Sequence, residues 1–478
     1  MAAPTGVSER RDQCPTHTSL VSNGRTFTVY VRESWQETVP SAMISGPDPF
    51  TGTPRWGNGW ICARLLGQFV FYFVKTENRV CSMKEKNRSR IVCLTSVFDQ
   101  HYHDLRGEKT EHHLLTISFR RDVLRCLEMA SGREVIVLSS PPKAVERRTA
   151  KWLPPVETKF VTYRQLFCAN WDVPKLRVPL SWIFYARHAL RHVRSGDLVV
   201  IDNYDFISIV AARVLKIFRR VTFLLVYLDG RHAIDRSWPW VLSWLAETGG
   251  RGLLSGALLS TPALGKRLPD AMPKELVPGF VPDELPLGPG TPDGEVRFLY
   301  TGGLDRARGV DLMLAAMEHL PEKGWHLDIT GHGPLAEQVA RLAQDPCWSS
   351  KVKYHQSLPA DAYNRLLAEC QVGLNCQRAS DPISGVTLPS KVFTYLSAGL
   401  LVISSKAGAV EQLCRNACFY YEGDTPQSLA GAMKEVIANF STVRRKLDPA
   451  AVSNQYSIKA TAGRMRRLLQ AVGVVDDH

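Results

Sequence analysis

From Ile91 onward the chain alternates short apolar runs, rich in β-formers, with stretches whose apolar residues recur at helical spacing. The clearest stretch is VRFLYTGGLDRARGVDLMLAAMEHL. Its run from Val296 to Tyr300 predicts a strand, and Gly302 and Gly303 predict a turn. The apolar positions Val310, Leu312, Met313 and Met317 then predict a helix, with Arg306 and Arg308 at its start. WHLDITGHGPLAEQVARLA repeats the construction: a strand, a Gly331-x-Gly333 turn, Pro334 at the helix start, and a helix. A third unit is VGLNC (Val372 to Cys376), a loop, and SKVFTYLSAGLLVISS. There Ser390 is the expected N-cap, Lys391 lies in the first helical turn, and Gly399 is the expected C-cap before an apolar strand.

The preceding half carries the same rhythm. IVCLTSV, REVIVLSS, LVVIDNYDF, VTFLLVYLDGRHAID and GALLSTPALGKRLP each begin as a strand, and ISFRRDVLRCLEMA and IVAARVLKIFRR read as helices. PDELPLGPGTPDGE, crowded with proline and glycine, marks the boundary between the halves. AMKEVIANF and SIKATAGRMRRLLQAV predict closing helices. Residues 1–82 are different: rich in Ser, Thr, Pro and Gly up to Asn58, without a sustained period. The apolar stretch Leu65 to Val74 is too short for the ~20 residues of a spanning helix. A packed strand or helix, or a segment without fixed structure, is expected there ahead of a membrane-surface segment.

Alternating strands and helices imply α/β architecture, with parallel sheets covered on both faces and ligands at the carboxyl ends of the strands. Glycines let a backbone approach a ligand closely, and cations beside them attract an anion. The favoured ligand therefore bears phosphate, with Gly302, Gly303, Gly331, Gly333, Arg308 and Lys391 as its candidate binding residues.

Composition narrows the classes. The 478 residues allow two or three domains, and 45% hydrophobic with 22% charged residues suits a globular chain. The net charge of +13 favours anionic partners. Nucleic acid is set aside, because there is no zinc finger, RNA-binding signature or long Lys/Arg tract. The 11 cysteines have no paired C-x-x-C spacing and read as reduced thiols of a cytoplasmic protein. No secretory signal peptide is evident. His101, His103, His112 and His113 lack a further ligand pattern, so solvated loop histidines are expected in place of a zinc site.

YTGG…RGVDLMLAA, LDITGHGP, LPSKVFTYLSAGLLVIS and the later Glu411 together resemble the donor half of retaining, nucleotide-sugar-dependent glycosyltransferases of the family 4-like group. The resemblance covers about residues 295 to 440, and more weakly Met83 to Pro282, where SPP, YLDG and VPGF look like the acceptor half. It implies a GT-B fold, two Rossmann-like domains facing each other across a cleft. The expected division is an extension (1–82), an acceptor domain (83–285), a linker (286–294), a donor domain (295–440), and a helical segment (441–478) crossing back to the acceptor domain. It further implies transfer of a hexose from a nucleoside-diphosphate sugar to a saccharide or lipid-linked acceptor, with no metal and no cofactor. The absence of an Asp-x-Asp motif agrees with that.

Residue by residue, the resemblance puts Arg308 where the family has a diphosphate-binding lysine, with Lys391 able to meet the same charge. The family's arginine after the first glycine is absent, because Gly303 stands there. Its paired glutamates fall on Val386 and Thr394. Thr394 offers one hydroxyl toward the ribose, whereas Val386 cannot replace an acid; Asp381 or Ser384 in the loop before it are the nearest substitutes. In the first domain Asp229 is a candidate catalytic residue, and His232, Asp202 and Asp205, beside Asn203, are acceptor-side candidates. Basic runs RRDVLR and KIFRR suit contact with an anionic membrane at its inner face. The alternatives are a GT-B binding or scaffold protein without catalysis, favoured by the missing acids, and a GT-B epimerase.

Overall fold

The computed structural model describes residues 17–22, 25–32, 59–65, 68–76, 89–95, 114–140, 151–159, 163–173, 176–230, 238–286, 288, 290, 292 and 294–476. The chain divides into two compact units, Met1–Arg88 and Ser89–His478.

In the first unit, β1 (His17–Ser22), β2 (Arg25–Arg32), β3 (Gly59–Leu65) and β4 (Gln68–Thr76) form an antiparallel sheet in the order β1-β2-β4-β3. The apolar stretch that begins at Leu65 is the end of β3 and most of β4, paired from Leu65–Gln68 to Gly59–Val74. Signals for these strands are present where no longer period is. TFTVYV and FVFYFV are runs of β-branched and aromatic residues, and Asn23-Gly24 stands between the paired residues Ser22 and Arg25.

The second unit contains two large sheets and a small ribbon. Its first half is built on β5 (Ile91–Thr95), β6 (Val135–Ser139), β8 (Val156–Lys159), β9 (Arg164–Phe167), β11 (Leu198–Asp202), β12 (Thr222–Tyr227), β13 (Gly256–Leu259) and β14 (Lys274–Leu276). They order as β14-β13-β12-β11-β5-β6-β9-β8, parallel except where β8 pairs with β9. A two-stranded ribbon joins β7 (Lys151–Leu153) to β10 (Asn170–Asp172). Successive residues of a strand point to opposite faces, so apolar runs such as IVCLT bury both. Val92, Leu94, Val199 and Ile201 face a core completed by α2 (Arg177–His192), α3 (Phe206–Phe218) and α4 (Trp238–Gly250). Ile91, Cys93, Leu198 and Val200 face a core completed by α1 (Leu114–Ser131). A short turn of helix, α5 (Pro262–Gly265), follows β13.

The second half is a six-stranded parallel sheet: β15 (Val296–Thr301), β16 (Trp325–Thr330), β17 (Val352–Tyr354), β18 (Val372–Asn375), β19 (Leu401–Ser405) and β20 (Phe419–Tyr421). The order β17-β16-β15-β18-β19-β20 is the doubly wound arrangement, which reverses between β15 and β18. Its helices are α6 (Val310–Met317), α7 (Ala336–Gln344), α8 (Ala360–Glu369), α9 (Lys391–Ser397), α10 (Val410–Cys414) and α11 (Pro426–Lys446). Both halves of the second unit are thus α/β layers on largely parallel sheets, the fold class expected.

The chain does not end in this second half. After α12 (Ala450–Tyr456), α13 (Ile458–Ala471) lays Ala462, Met465, Leu468 and Leu469 into the core beside α1. Arg464 Nε holds Glu275 Oε1 at 2.8 Å, and Ser453 Oγ donates to the Pro282 carbonyl at 2.8 Å. Glycine spacing also locks the halves at VPGF: a β-carbon on Gly279 would overlap the Phe393 ring, so α9 packs directly on that backbone.

Candidate functional site

An open parallel sheet offers a crevice where the directions of its connections diverge. Here that place lies beyond the carboxyl ends of β15 and β18, and β15 runs straight into Gly302 and Gly303. Gly302 has φ +114°, a conformation that side-chain-bearing residues seldom adopt. The second glycine turn packs on the first: Leu304 N–H donates to the His332 carbonyl at 2.8 Å, and a β-carbon on Gly331 would overlap the Gly302 carbonyl. A β-carbon on Gly333 would press on Leu304 in the same way. Gly331 and Gly333 thus serve the mutual packing of two turns, while Gly302 and Gly303 form a half-buried lip.

Two cations stand over that lip. A β-carbon on Gly303 would lie 3.0 Å from Arg308 Nη1, and one on Gly302 would lie 3.7 Å from Lys391 Nζ. Arg308 precedes α6, turned back by Asp305, whose carboxylate receives the Arg308 backbone N–H at 2.9 Å and pairs with its guanidinium. The side chain stays 36% exposed, enough to reach a ligand. Arg306, two residues earlier, is exposed.

Lys391 has the more unusual setting. Only 7% of it is exposed, and its Nζ has no hydrogen-bond partner among the described residues. It sits 3.7 Å from the centroid of the Tyr300 ring. Burial pushes its pKa down to about 7; the Cys376 thiol and Asp305 oppose that shift, and Arg308 reinforces it. A buried ammonium without an acceptor is costly unless a ligand supplies one. The expected capping of its helix does not occur, since Ser390 makes no side-chain cap bond. Thr394, one turn along, is half-buried and donates its hydroxyl to the Ser390 carbonyl at 3.5 Å.

The loop between β18 and α9 carries Val386. Its carbonyl accepts the Gly230 N–H at 3.1 Å, and its side chain packs against the first-domain core. This seam brings the turn bearing Asp229 from the first domain against the second. Asn203 shapes that turn, its side-chain oxygen accepting the N–H groups of Leu228 (2.9 Å) and Asp229 (3.2 Å). Both nearby substitutes for an acid at position 386 make hydrogen bonds within the loop. Asp381 accepts the Ile383 N–H at 2.9 Å, and buried Ser384 donates to the Arg378 carbonyl at 2.7 Å. The loop is anchored by Asp424, which accepts the N–H groups of Ala379 and Ser380, each at 2.9 Å.

The acceptor-side candidates of the first domain are largely occupied. Asp202 is buried, accepts the Thr95 hydroxyl at 2.7 Å and pairs with Arg120 of α1. Asp205 precedes α3 and accepts the Ser208 hydroxyl at 2.7 Å; burial raises its pKa to about 6 against that hydrogen bond. His232 lies outside the described residues, as do His101, His103, His112 and His113. Among the described residues no group of three or more His, Cys, Asp or Glu is placed to hold a metal. No described helix is long and apolar enough to cross a membrane.

Tyr300, Asp305 and Asp424 escaped the reading of the sequence. Asp305 was readable as an i,i+3 partner of Arg308. Tyr300 passes for an ordinary strand residue, and Asp424 acts on a loop more than forty residues earlier in the chain.

Comparison with known proteins agrees with this geometry. Residues 295–439 match the family model described as glycosyl transferases group 1. An 85-residue stretch is 32% identical to a chitobiosyldiphosphodolichol beta-mannosyltransferase from Kluyveromyces lactis, covering 18% of each chain. The chain thus aligns with under a fifth of that curated relative's length. Among solved structures, sucrose-phosphate synthase from Thermosynechococcus elongatus superimposes with TM-score 0.60 at 15% identity, covering 81% of this chain and 99% of the other. Anabaena HepE in complex with UDP and glucose gives 0.56 at 13%, covering 80% and 100%. The catalytic domain of Arabidopsis thaliana starch synthase IV, bound to ADP and acarbose, gives 0.56 at 11%, covering 80% and 99%. The fold is that of GT-B glycosyltransferases, and its second half, residues 295–439, carries the group 1 glycosyl transferase signature.

Proposed function

We propose that the protein is a glycosyltransferase that binds a nucleoside-diphosphate sugar in its second domain and passes the hexose to a saccharide or lipid-linked acceptor held by the first. The observation that carries this is Lys391: a buried ammonium lacking an acceptor, aimed at the Gly302 lip where the sheet diverges. A diphosphate would supply the missing acceptor, and Arg308 would meet its second phosphate. Fixed cations of this kind stabilise the leaving diphosphate as the glycosidic bond breaks, without reorganising at that moment. The two charges make a metal unnecessary for that task. In the retaining reaction, the acceptor attacks the face from which the diphosphate departs, and a phosphate oxygen takes its proton. In this reading Thr394 meets the ribose, and Asp229, in the turn that reaches the seam, approaches the acceptor.

Calorimetric titration with UDP, GDP and ADP tests this reading. At least one binds, and Arg308→Ala or Lys391→Ala weakens it about tenfold or more, the loss of one charge-assisted contact. No heat with any of the three nucleotides would sink it.

A second reading is favoured by Val386. With no acid at this position and its carbonyl given to Gly230, the protein would bind a nucleotide sugar without turning it over. Transfer or slow hydrolysis of any labelled donor excludes this alternative, and the catalytic reading predicts activity unchanged by EDTA.

A further inference from the structure

Ten large hydrophobic side chains are exposed among the described residues, and all ten belong to the first domain. Nine of them lie on one layer, formed by α2, α3, α4 and the β7–β10 ribbon with its link to α2; the tenth, Met129, is on α1. Ile217 is 76% exposed, Ile183 65% and Phe218 61%. Trp244 is half exposed on α4, and Trp152 and Trp171 meet edge-on at 6.4 Å at the ribbon end. A monomeric domain seldom gathers so much apolar surface without a partner.

Charge says which partner. On α2, Ile183, Arg187 and Arg191 recur every fourth residue and are all exposed, so one stripe is apolar at one end and basic at the other. Exposed Lys216 and Arg220 flank Ile217 and Phe218 at the end of α3. None of these four basic side chains pairs with an acid among the described residues. Three acids on or beside these helices point elsewhere: Asp197 is buried against Arg90, Asp205 is bound to Ser208, and Glu247 is buried between Arg251 and Arg267. Of the two basic runs picked out in the sequence, only KIFRR belongs to this face. RRDVLR is on α1, across the sheet, with Arg120 turned in to Asp202.

We propose that the outer face of α2, α3 and α4 docks on an anionic lipid bilayer, inserting Ile183, Ile217, Phe218 and Trp244 at the headgroup boundary while the arginines and lysine meet lipid phosphates. Tryptophans at the rim suit that boundary, where one edge of the ring is wet. The proposal stands apart from the nucleotide-sugar reading, because it is tested without nucleotide.

The full chain is floated with vesicles of phosphatidylcholine alone or of phosphatidylcholine with phosphatidylserine. Expected is co-flotation with the anionic vesicles in low salt and release in high salt. Arg187→Glu with Arg191→Glu, and separately Ile217→Asp with Phe218→Asp, each weaken partitioning about tenfold or more, with melting transitions like that of the parent. In the unmodified protein, brominated anionic lipids quench tryptophan fluorescence, a measurement that needs no variant. Failure to float with anionic vesicles overturns the proposal. So does equal binding to neutral ones, or self-association through this face with no vesicle binding.

Discussion

Lys391 carries two opposed consequences at the scale of a single residue. Its pKa, about 7 against an ordinary 10.5, is lowered in the folded chain, so between these values the unfolded chain binds more protons and stability rises with pH. Below pH 7 the full penalty of burying the charge is present, on the order of a few kcal/mol. Lys391→Met is therefore expected to raise the melting temperature of the ligand-free protein at pH 6 and to lose nucleotide binding. The stability gain should shrink toward pH 10. A variant that binds nucleotide as well as the parent, or melts lower at pH 6, contradicts this account. Lys391 and Arg308 were legible because each follows a strand-end turn in the sequence. What the letters could not give was the Tyr300 ring beneath the ammonium, since that depends on where side chains point.

Among elements, the two glycine turns illustrate how like sequences divide their labour. Both were read as ligand loops, and the Gly331 turn also fits against the first. Gly331 has φ +140°, and its missing β-carbon leaves room for the Gly302 carbonyl. Gly331→Ala should cost about 2–4 kcal/mol, from backbone strain plus overpacking, in chemical denaturation. Because the damage passes through the lip, nucleotide affinity falls as well; a variant as stable as the parent would show the turns to be independent. Strands and helices of the second half were readable because glycine and proline punctuate them. The β7–β10 ribbon was missed because its strands are three residues each, too short to show a period. The first unit was read only in part, a packed strand being one form expected for Leu65 to Val74: its strong β-formers are separated by long stretches of Ser, Thr, Pro and Gly, which masks their alternation.

For the whole molecule, the last helix is part of the first domain's interior. Met465 is fully buried beside Val123 and Leu127 of α1, though more than three hundred residues separate them in sequence. Met465→Ala is expected to cost about 2–5 kcal/mol and to lower the melting of the first domain, although the substitution lies beyond the second. Unchanged melting would mean that the helix is dispensable for that core. The fold class was legible, because the alternation of elements dictates it. The meeting of the two halves was not, since no local pattern encodes which backbone faces which.

The seam between Gly230 and Val386 is made by main-chain atoms on both sides. Every amino acid at 386 brings the same carbonyl, so that hydrogen bond is indifferent to the side chain chosen there, while the valine side chain adds apolar contact with the first-domain core. Only proline at 230 would delete the donor, and any β-carbon at that position would press on Leu264. The main-chain link between the halves can thus persist whatever chemistry the side chain at 386 carries.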